Sequence, residues 1–196
     1  MNIALFDFDG TITECDTFTP FIRKATPRSR MIVGRLLLMP SILAYRTGIL
    51  SASSIRQQIV YIGLKGFSKR CLETLGKNHA NEFLSNVVRA NALDRIQWHL
   101  DSGDRVIIVS ASLDVYLKPW CDKIGVELIC SQLDNKGDIL TGKYHKGDCT
   151  GAEKVRRVES LIDLKAYEKI YAYGDTKEDD ELLQIADEKY FQWEKT

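Results

Sequence analysis

The chain has 196 residues, of which 44% are hydrophobic and 28% charged, with a formal net charge of zero. This is the balance of a folded domain able to bury a core, of one domain or one domain with a small insert. The five cysteines (Cys15, Cys71, Cys121, Cys130, Cys149) are odd in number, scattered and free of any C-x-x-C pair, which argues against a disulfide framework and against a zinc site. The opening residues lack a basic start, a long apolar stretch and a small-residue cleavage site, so export is not expected and a reducing cytoplasm is the expected compartment.

Residues 3–8 are a short apolar run followed by Gly10, the pattern of a central parallel strand covered on both faces. The run ends in Asp7-Phe8-Asp9-Gly10-Thr11, which sets two carboxylates on one side of an extended backbone before a flexible glycine. A carboxylate pair suits a hard divalent cation, and magnesium in particular where a phosphate completes the shell. Taken alone, the same five residues also fit an aspartate-stabilised turn.

Residues 18–83 read as helical throughout and form an insert between the first strand and the next strand–helix unit. Its charge is one-sided. From residue 17 to 72 there is no Asp or Glu but ten Lys/Arg, so with 27 residues of each sign in the chain the remainder holds 17 basic against 27 acidic side chains. Such a block suits an anionic partner, although a solvated helical surface with a chance bias is also open. Residues 31–50 are very apolar, but Arg35 and Arg46 interrupt them and Pro40 is expected to break the helix, so no transmembrane span is expected. Packing within a helical cap, or peripheral contact with a bilayer surface, fits this stretch.

Beyond the insert, helices are expected over 91–100, 113–123, 153–162 and 179–186, and strands over 105–109, 126–130 and 169–173, with a last one at 189–193. Residues 131–144 read as an appended β-hairpin around Asp134-Asn135-Lys136-Gly137-Asp138. The alternation predicts an α/β fold: a Rossmann-like, mainly parallel sheet flanked by helices, divided into a core (1–17 and 84–196) and a helical cap (18–83).

Ser110 closes the second strand, and Ser112 is placed to cap the helix that follows. Thr150 and Glu153 match a T-x-x-E capping box, which sets Lys154 in a first helical turn where the dipole disfavours a cation. That position points to a tertiary partner for Lys154, although a solvent-facing lysine is also open. Asp175 and Asp179 follow the fourth strand. Ligands of open α/β sheets bind beyond the carboxyl ends of the strands, so all these residues are expected to converge.

Together they resemble the haloacid dehalogenase superfamily of phosphatases. D-x-D-G-T is Asp7 to Thr11, the strand-terminal serine is Ser110, the lysine is Lys154, and G-D-x-x-x-D runs from Gly174 to Asp179. The helical insert, with Cys149, Gly151 and Lys154 in a C-x-G-x-x-K context, is similar to the phosphoserine-phosphatase-like branch (subfamily IB), and phosphatidylglycerophosphate phosphatases are close relatives of it. The resemblance implies a Mg2+-dependent phosphate-monoester hydrolase. Asp7 would be the nucleophile that forms an aspartyl-phosphate and Asp9 the general acid and base; Ser110 and Lys154 would hold phosphoryl oxygens. Asp7, the Asp9 backbone carbonyl and Asp175 would bind the metal, with Asp179 behind them. Asp16 (or Glu14), Arg56 and Arg46 are the candidates for substrate contacts, by analogy with the groups that hold an amino-acid substrate. The expected partner is a small phosphorylated substrate or a lipid phosphate, not nucleic acid. A receiver-type signalling module and a phosphotransferase are the rival readings, and the oligomeric state is open.

Overall fold

The computed structural model describes residues 1–196. The chain opens with β1 (Ile3–Phe6), then passes through α1 (Phe18–Ala25), α2 (Arg28–Arg46), α3 (Ala52–Leu64), α4 (Lys69–His79), a π-helical turn (Ala80–Leu84) and α5 (Ser85–Val87). It continues with α6 (Ala90–Asp101), β2 (Arg105–Leu113), α7 (Asp114–Ile124), β3 (Glu127–Lys136), β4 (Ile139–His145) and α8 (Ala152–Leu161). β5 (Ile170–Gly174), α9 (Asp180–Gln184), β6 (Glu188–Phe191) and β7 (Glu194–Lys195) complete it. Seven strands form one sheet in the order β4-β3-β2-β1-β5-β6-β7, parallel from β3 to β6 with antiparallel strands at both edges.

Alternation along the strands explains the two-sided core. Ala4 and Phe6 of β1, Val106 and Ile108 of β2, and Tyr171 and Tyr173 of β5 face one apolar cluster, shared with α6, α7 and the helices of the insert. Ile3, Leu5, Ile107, Val109 and Ala172 face the other, against Val158 of α8 and Leu182 and Leu183 of α9. With both faces covered, continuous apolar runs such as Ile-Ala-Leu-Phe are the stable choice. The strand order changes direction at β1, with β2 and β3 on one side and β5 on the other, so the crevice between the ends of β1 and β5 is where a ligand would sit.

Backbone hydrogen bonds tie the helical insert down at two places. Its entry and exit pair with each other, Glu14 N donating to Val87 O at 2.8 Å and Arg89 N to Ile12 O at 2.9 Å. Its far end is stitched to β4 through Gly66 N to Leu140 O at 2.8 Å and Leu140 N to Phe67 O at 2.9 Å.

Four local expectations are corrected. α2 runs through Pro40 without breaking, because both Pro40 and Leu36, whose carbonyl loses its helical donor, are exposed on the outer face where water can serve that carbonyl. β3 and the hairpin are one strand: its first half pairs with β2 and its second with β4, so the turn narrows to Gly137-Asp138, with Gly137 at φ +61°. β2 extends to Leu113, leaving Ser112 inside a strand and not at a helix cap. The T-x-x-E box does not form either. α8 starts after Gly151, and the Thr150 hydroxyl donates to Glu178 Oε2 at 2.6 Å while Glu153 holds Arg157.

Candidate active site

The carboxyl end of β1 delivers Asp7 into the crevice, nearly buried, with its amide donating to Tyr173 O of β5 at 2.9 Å. Helix α8 brings Lys154 to the same point. The Lys154 side chain is 2% exposed, and its Nζ lies 2.5 Å from Asp7 Oδ1 and 2.6 Å from Asp179 Oδ1. Burial alone would lower the lysine's pKa; the two carboxylates overcome it and hold the ammonium charged. Burial pushes the Asp7 carboxyl up to about 7, against the pull of Lys154 and with the help of Asp179.

Asp179 is fixed by the turn that carries it. Its Oδ2 accepts the amides of Asp175 at 3.2 Å and Thr176 at 3.1 Å, closing a capping box over the 3-10 turn Lys177–Asp179. Oxygens of Asp7, Asp175 and Asp179 all lie within 4.8 Å of one another. Gly10 makes room for this cluster. At φ +86°, a side chain there is strained by the backbone conformation, and its Cβ would fall 2.1 Å from Asp175 Oδ2, so that Asp175 would have to shift. Three hard oxygen donors, raised in pKa by burial and mutual repulsion at Asp7 and Asp175, fit a divalent cation of the magnesium type.

Asp9, two residues beyond Asp7, takes no part in that cluster with its carboxylate. Oδ1 accepts the Thr17 amide at 2.7 Å, and Oδ2 accepts the Ser112 hydroxyl. Burial raises its pKa, opposed by the Ser112 and Thr17 hydrogen bonds. Ser110 is buried, and its Oγ accepts the Ser112 amide at 3.1 Å.

Asp7, Asp9, Ser110, Lys154 and Asp179 line one cavity of about 530 Å³, and Asp16 and Arg56 line it as well. Arg46 does not: it is exposed at the end of α2. Glu14 is exposed and also outside the lining. Asp16 is engaged by α1, accepting the amides of Phe18 at 3.0 Å and Thr19 at 3.2 Å. Arg56 is engaged as well, by Asp148 at 2.8 Å and Glu178 at 3.1 Å, and these two anions hold its pKa high despite burial.

Ser112, expected as a helix cap, instead donates to Asp9, and Thr17 and Thr11 join the site in roles that their sequence positions do not signal. Thr11 Oγ1 donates to Asp175 Oδ1 at 3.3 Å. A signal for Ser112 existed, since Ser110 and Ser112 point to one face wherever the strand persists.

Comparison with known proteins agrees with this geometry. A family model of haloacid dehalogenase-like hydrolases matches residues 4–184. Protein CicA of Caulobacter vibrioides is 32% identical over 95% of this chain and 84% of its own. A histidinol-phosphatase of Neisseria meningitidis is 22% identical over 95% and 88%. A substrate-bound phosphoserine phosphatase shares the fold at a TM-score of 0.67 and 18% identity, over 96% of this chain and 84% of that one. With its aspartates, lysine and strand-end serine gathered at the β1–β5 crevice, the chain belongs to the haloacid dehalogenase-like hydrolases.

Proposed function

We propose that this hydrolase cleaves phosphate monoesters through an aspartyl-phosphate, with Asp7 as nucleophile, Asp9 as proton carrier and magnesium as cofactor. The observation that carries the reading is the division of labour between two aspartates two residues apart. Asp7 is turned to Lys154 at the cavity floor, while Asp9 is held apart by Thr17 and Ser112 with its pKa raised, suited to carry a proton.

In the first step an Asp7 carboxylate oxygen attacks phosphorus in line; the bond to the ester oxygen breaks, and Asp9 gives its proton to the departing alkoxide. In the second, Asp9 takes a proton from water as that water attacks phosphorus, and the bond to Asp7 breaks to release orthophosphate. Lys154 and Ser110 bind the phosphoryl oxygens, and Asp179 holds Lys154 in position. Asp7, the Asp9 carbonyl and Asp175 would hold the ion, with the Asp179 carboxylate near the Asp7 and Asp175 oxygens, and it would supply positive charge to offset that of the phosphoryl oxygens. Residues 18–83 act as the cap over a core of residues 1–17 and 84–196, contributing Arg56 and Phe18 to the cavity wall. Five unpaired cysteines accord with a reducing compartment such as the cytoplasm.

The substrate is a small phosphorylated metabolite of the phosphoserine type or a lipid phosphate. Two engaged side chains favour the second. Asp16 and Arg56, the candidates for an amine and a carboxylate, already have partners in the protein.

A panel of phosphoserine, histidinol phosphate, sugar phosphates, nucleotides and lipid phosphates, assayed with magnesium, tests the reading and ranks the substrates by kcat/KM. Asp7→Asn is expected to abolish turnover while keeping the wild-type circular dichroism spectrum; undiminished turnover by that variant ends the proposal. A short-lived aspartyl-phosphate separates hydrolysis from a receiver-type switch, and release of labelled phosphate to water separates it from transfer to an alcohol.

A further inference from the structure

Helix α2 wears its apolar side outward. At about 100° per residue, Ile32, Val33, Leu36, Leu37, Met39 and Leu43 fall on one arc of about 160°, and each of these six side chains is between 53% and 66% exposed. Between Ile32 and Leu43 no polar side chain falls on that arc; its only other occupant is Pro40. The opposite side, with Gly34 and Leu38, is the buried one, and Gly34 approaches α3 so closely that a Cβ would meet Ile62 at 3.1 Å. Ile49, just past the helix, is 80% exposed and extends the apolar surface. A contiguous apolar face of this size marks an interaction surface.

One border is cationic: Arg28, Arg35 and Arg46 are exposed along that edge of the arc, while Arg30, at the other edge, is turned back onto the insert with its guanidinium donating to Lys65 O at 2.5 Å. No Asp or Glu occurs from residue 17 to 72 to neutralise them. No helix of the protein is long and apolar enough to cross a membrane, and α2, 19 residues and about 28 Å long, carries its arginines off the apolar arc. An apolar face edged by arginines, whose stems lie along hydrocarbon while their heads reach phosphate, is the pattern of a helix lying in the plane of a bilayer surface.

We propose that α2 is a docking surface for an anionic lipid bilayer. The charge selects this occupant over a second copy of the chain, because two such faces in contact would bring arginine borders together without a carboxylate from the same block to pair them. The bilayer also supplies the hydrocarbon that the six side chains need and the negative charge that the cationic border needs. Tyr45, at the end of α2, lines the catalytic cavity beside Ala52 and Arg56 of α3, so the docking helix also carries part of the cavity wall on its inward side. The docking does not depend on the phosphatase reading, and Asp7→Asn is expected to bind vesicles as the wild type does.

The test is co-sedimentation of the full chain with vesicles of equimolar phosphatidylcholine and phosphatidylglycerol, against vesicles of phosphatidylcholine alone. Strong binding to the anionic vesicles, weakened by salt, is expected. The double variant L36E/L43E should lose at least about a hundredfold in partitioning, since two leucine burials are forfeited, while keeping the wild-type melting temperature because both side chains are exposed. R28E/R35E should lose the preference for anionic over neutral vesicles. The proposal is overturned if the wild type ignores anionic vesicles at low salt, if it binds both vesicle types equally, if L36E/L43E binds undiminished, or if ultracentrifugation finds a stable dimer that L36E/L43E dissolves.

Discussion

Ser112 is the residue on which the chemistry of Asp9 turns. In the proposed mechanism Asp9 gives a proton in one half-reaction and takes one in the next, which calls for a carboxyl with a fixed direction and a pKa above that of a solvated aspartate. Burial supplies the pKa, and Ser112 with the Thr17 amide supplies the direction. Ser112→Ala leaves the Thr17 amide in place, so the carboxyl is loosened, not lost. We predict a fall in kcat of about 10–100-fold with KM little changed, the mark of a displaced proton carrier; an unchanged kcat would show that Thr17 alone suffices. Asp7 gives a pH prediction. Its carboxyl is raised from 3.8 to about 7 in the fold, so ionising it costs folded stability once the pH passes the unfolded value. In metal-free protein this contribution is neutral below about pH 4 and increasingly destabilising up to about pH 7, the window between the two pKa values. Magnesium requires the carboxylate, so the gain in Tm on adding magnesium should grow across that same window. Thermal melts with and without magnesium on either side of it check this, and a gain independent of pH would contradict it.

Helix α8 and the turns around it show why particular elements end where they do. Lys154 enters in the first turn of α8, where the helix dipole opposes it, and is held by Asp7 and Asp179. Lys154→Ala leaves two nearly buried carboxylates without their cation, and a loss of about 3–5 kcal/mol is expected in metal-free denaturant titration; a change below about 1 kcal/mol would mean the carboxylates relax into water. At the end of β1, Gly10→Ala forces a Cβ against Asp175 at a positive φ, and we predict loss of magnesium-induced stabilisation together with activity. These features differ in how far the sequence revealed them. Asp7 and Asp175 were legible because a strand buried on both faces is a continuous apolar run whose end is visible, and the crevice follows from parallel topology. Ser112 was not, because β2 is prolonged to Leu113 by pairing with Ser131 of β3, a contact no local pattern encodes. Pro40 misled for a related reason: whether a proline ends a helix depends on whether water reaches the freed carbonyl, and that is decided by how α2 packs. The engagement of Arg56 was hidden too, since its partners lie 92 and 122 positions away.

At the scale of the whole molecule, the insert and the core meet across the cavity through one guanidinium. Arg56 of α3 reaches Asp148 and Glu178 on two separate loops of the core, and both anions have further anchors: Ser131 Oγ donates to Asp148 at 2.9 Å and Thr150 Oγ1 to Glu178 at 2.6 Å. The far end of the insert is held by backbone hydrogen bonds to β4 and to the turn before it, among them Leu140 N to Phe67 O and Lys69 N to Asp138 O. A motion that widens the cavity while keeping the β4 seam therefore has to break the Arg56 pairs. Replacing Arg56 by Ala removes that restraint and leaves Asp148 buried with only neutral donors, whereas Lys keeps the charge but lacks the fork that spans two carboxylates. The expected result is faster amide hydrogen exchange in residues 52–64 in R56A, with R56K intermediate and residues 66–69 at the seam unchanged. Equal protection of 52–64 in wild type and R56A would place the restraint elsewhere, in the apolar contacts that α1 and α3 make with the core cluster.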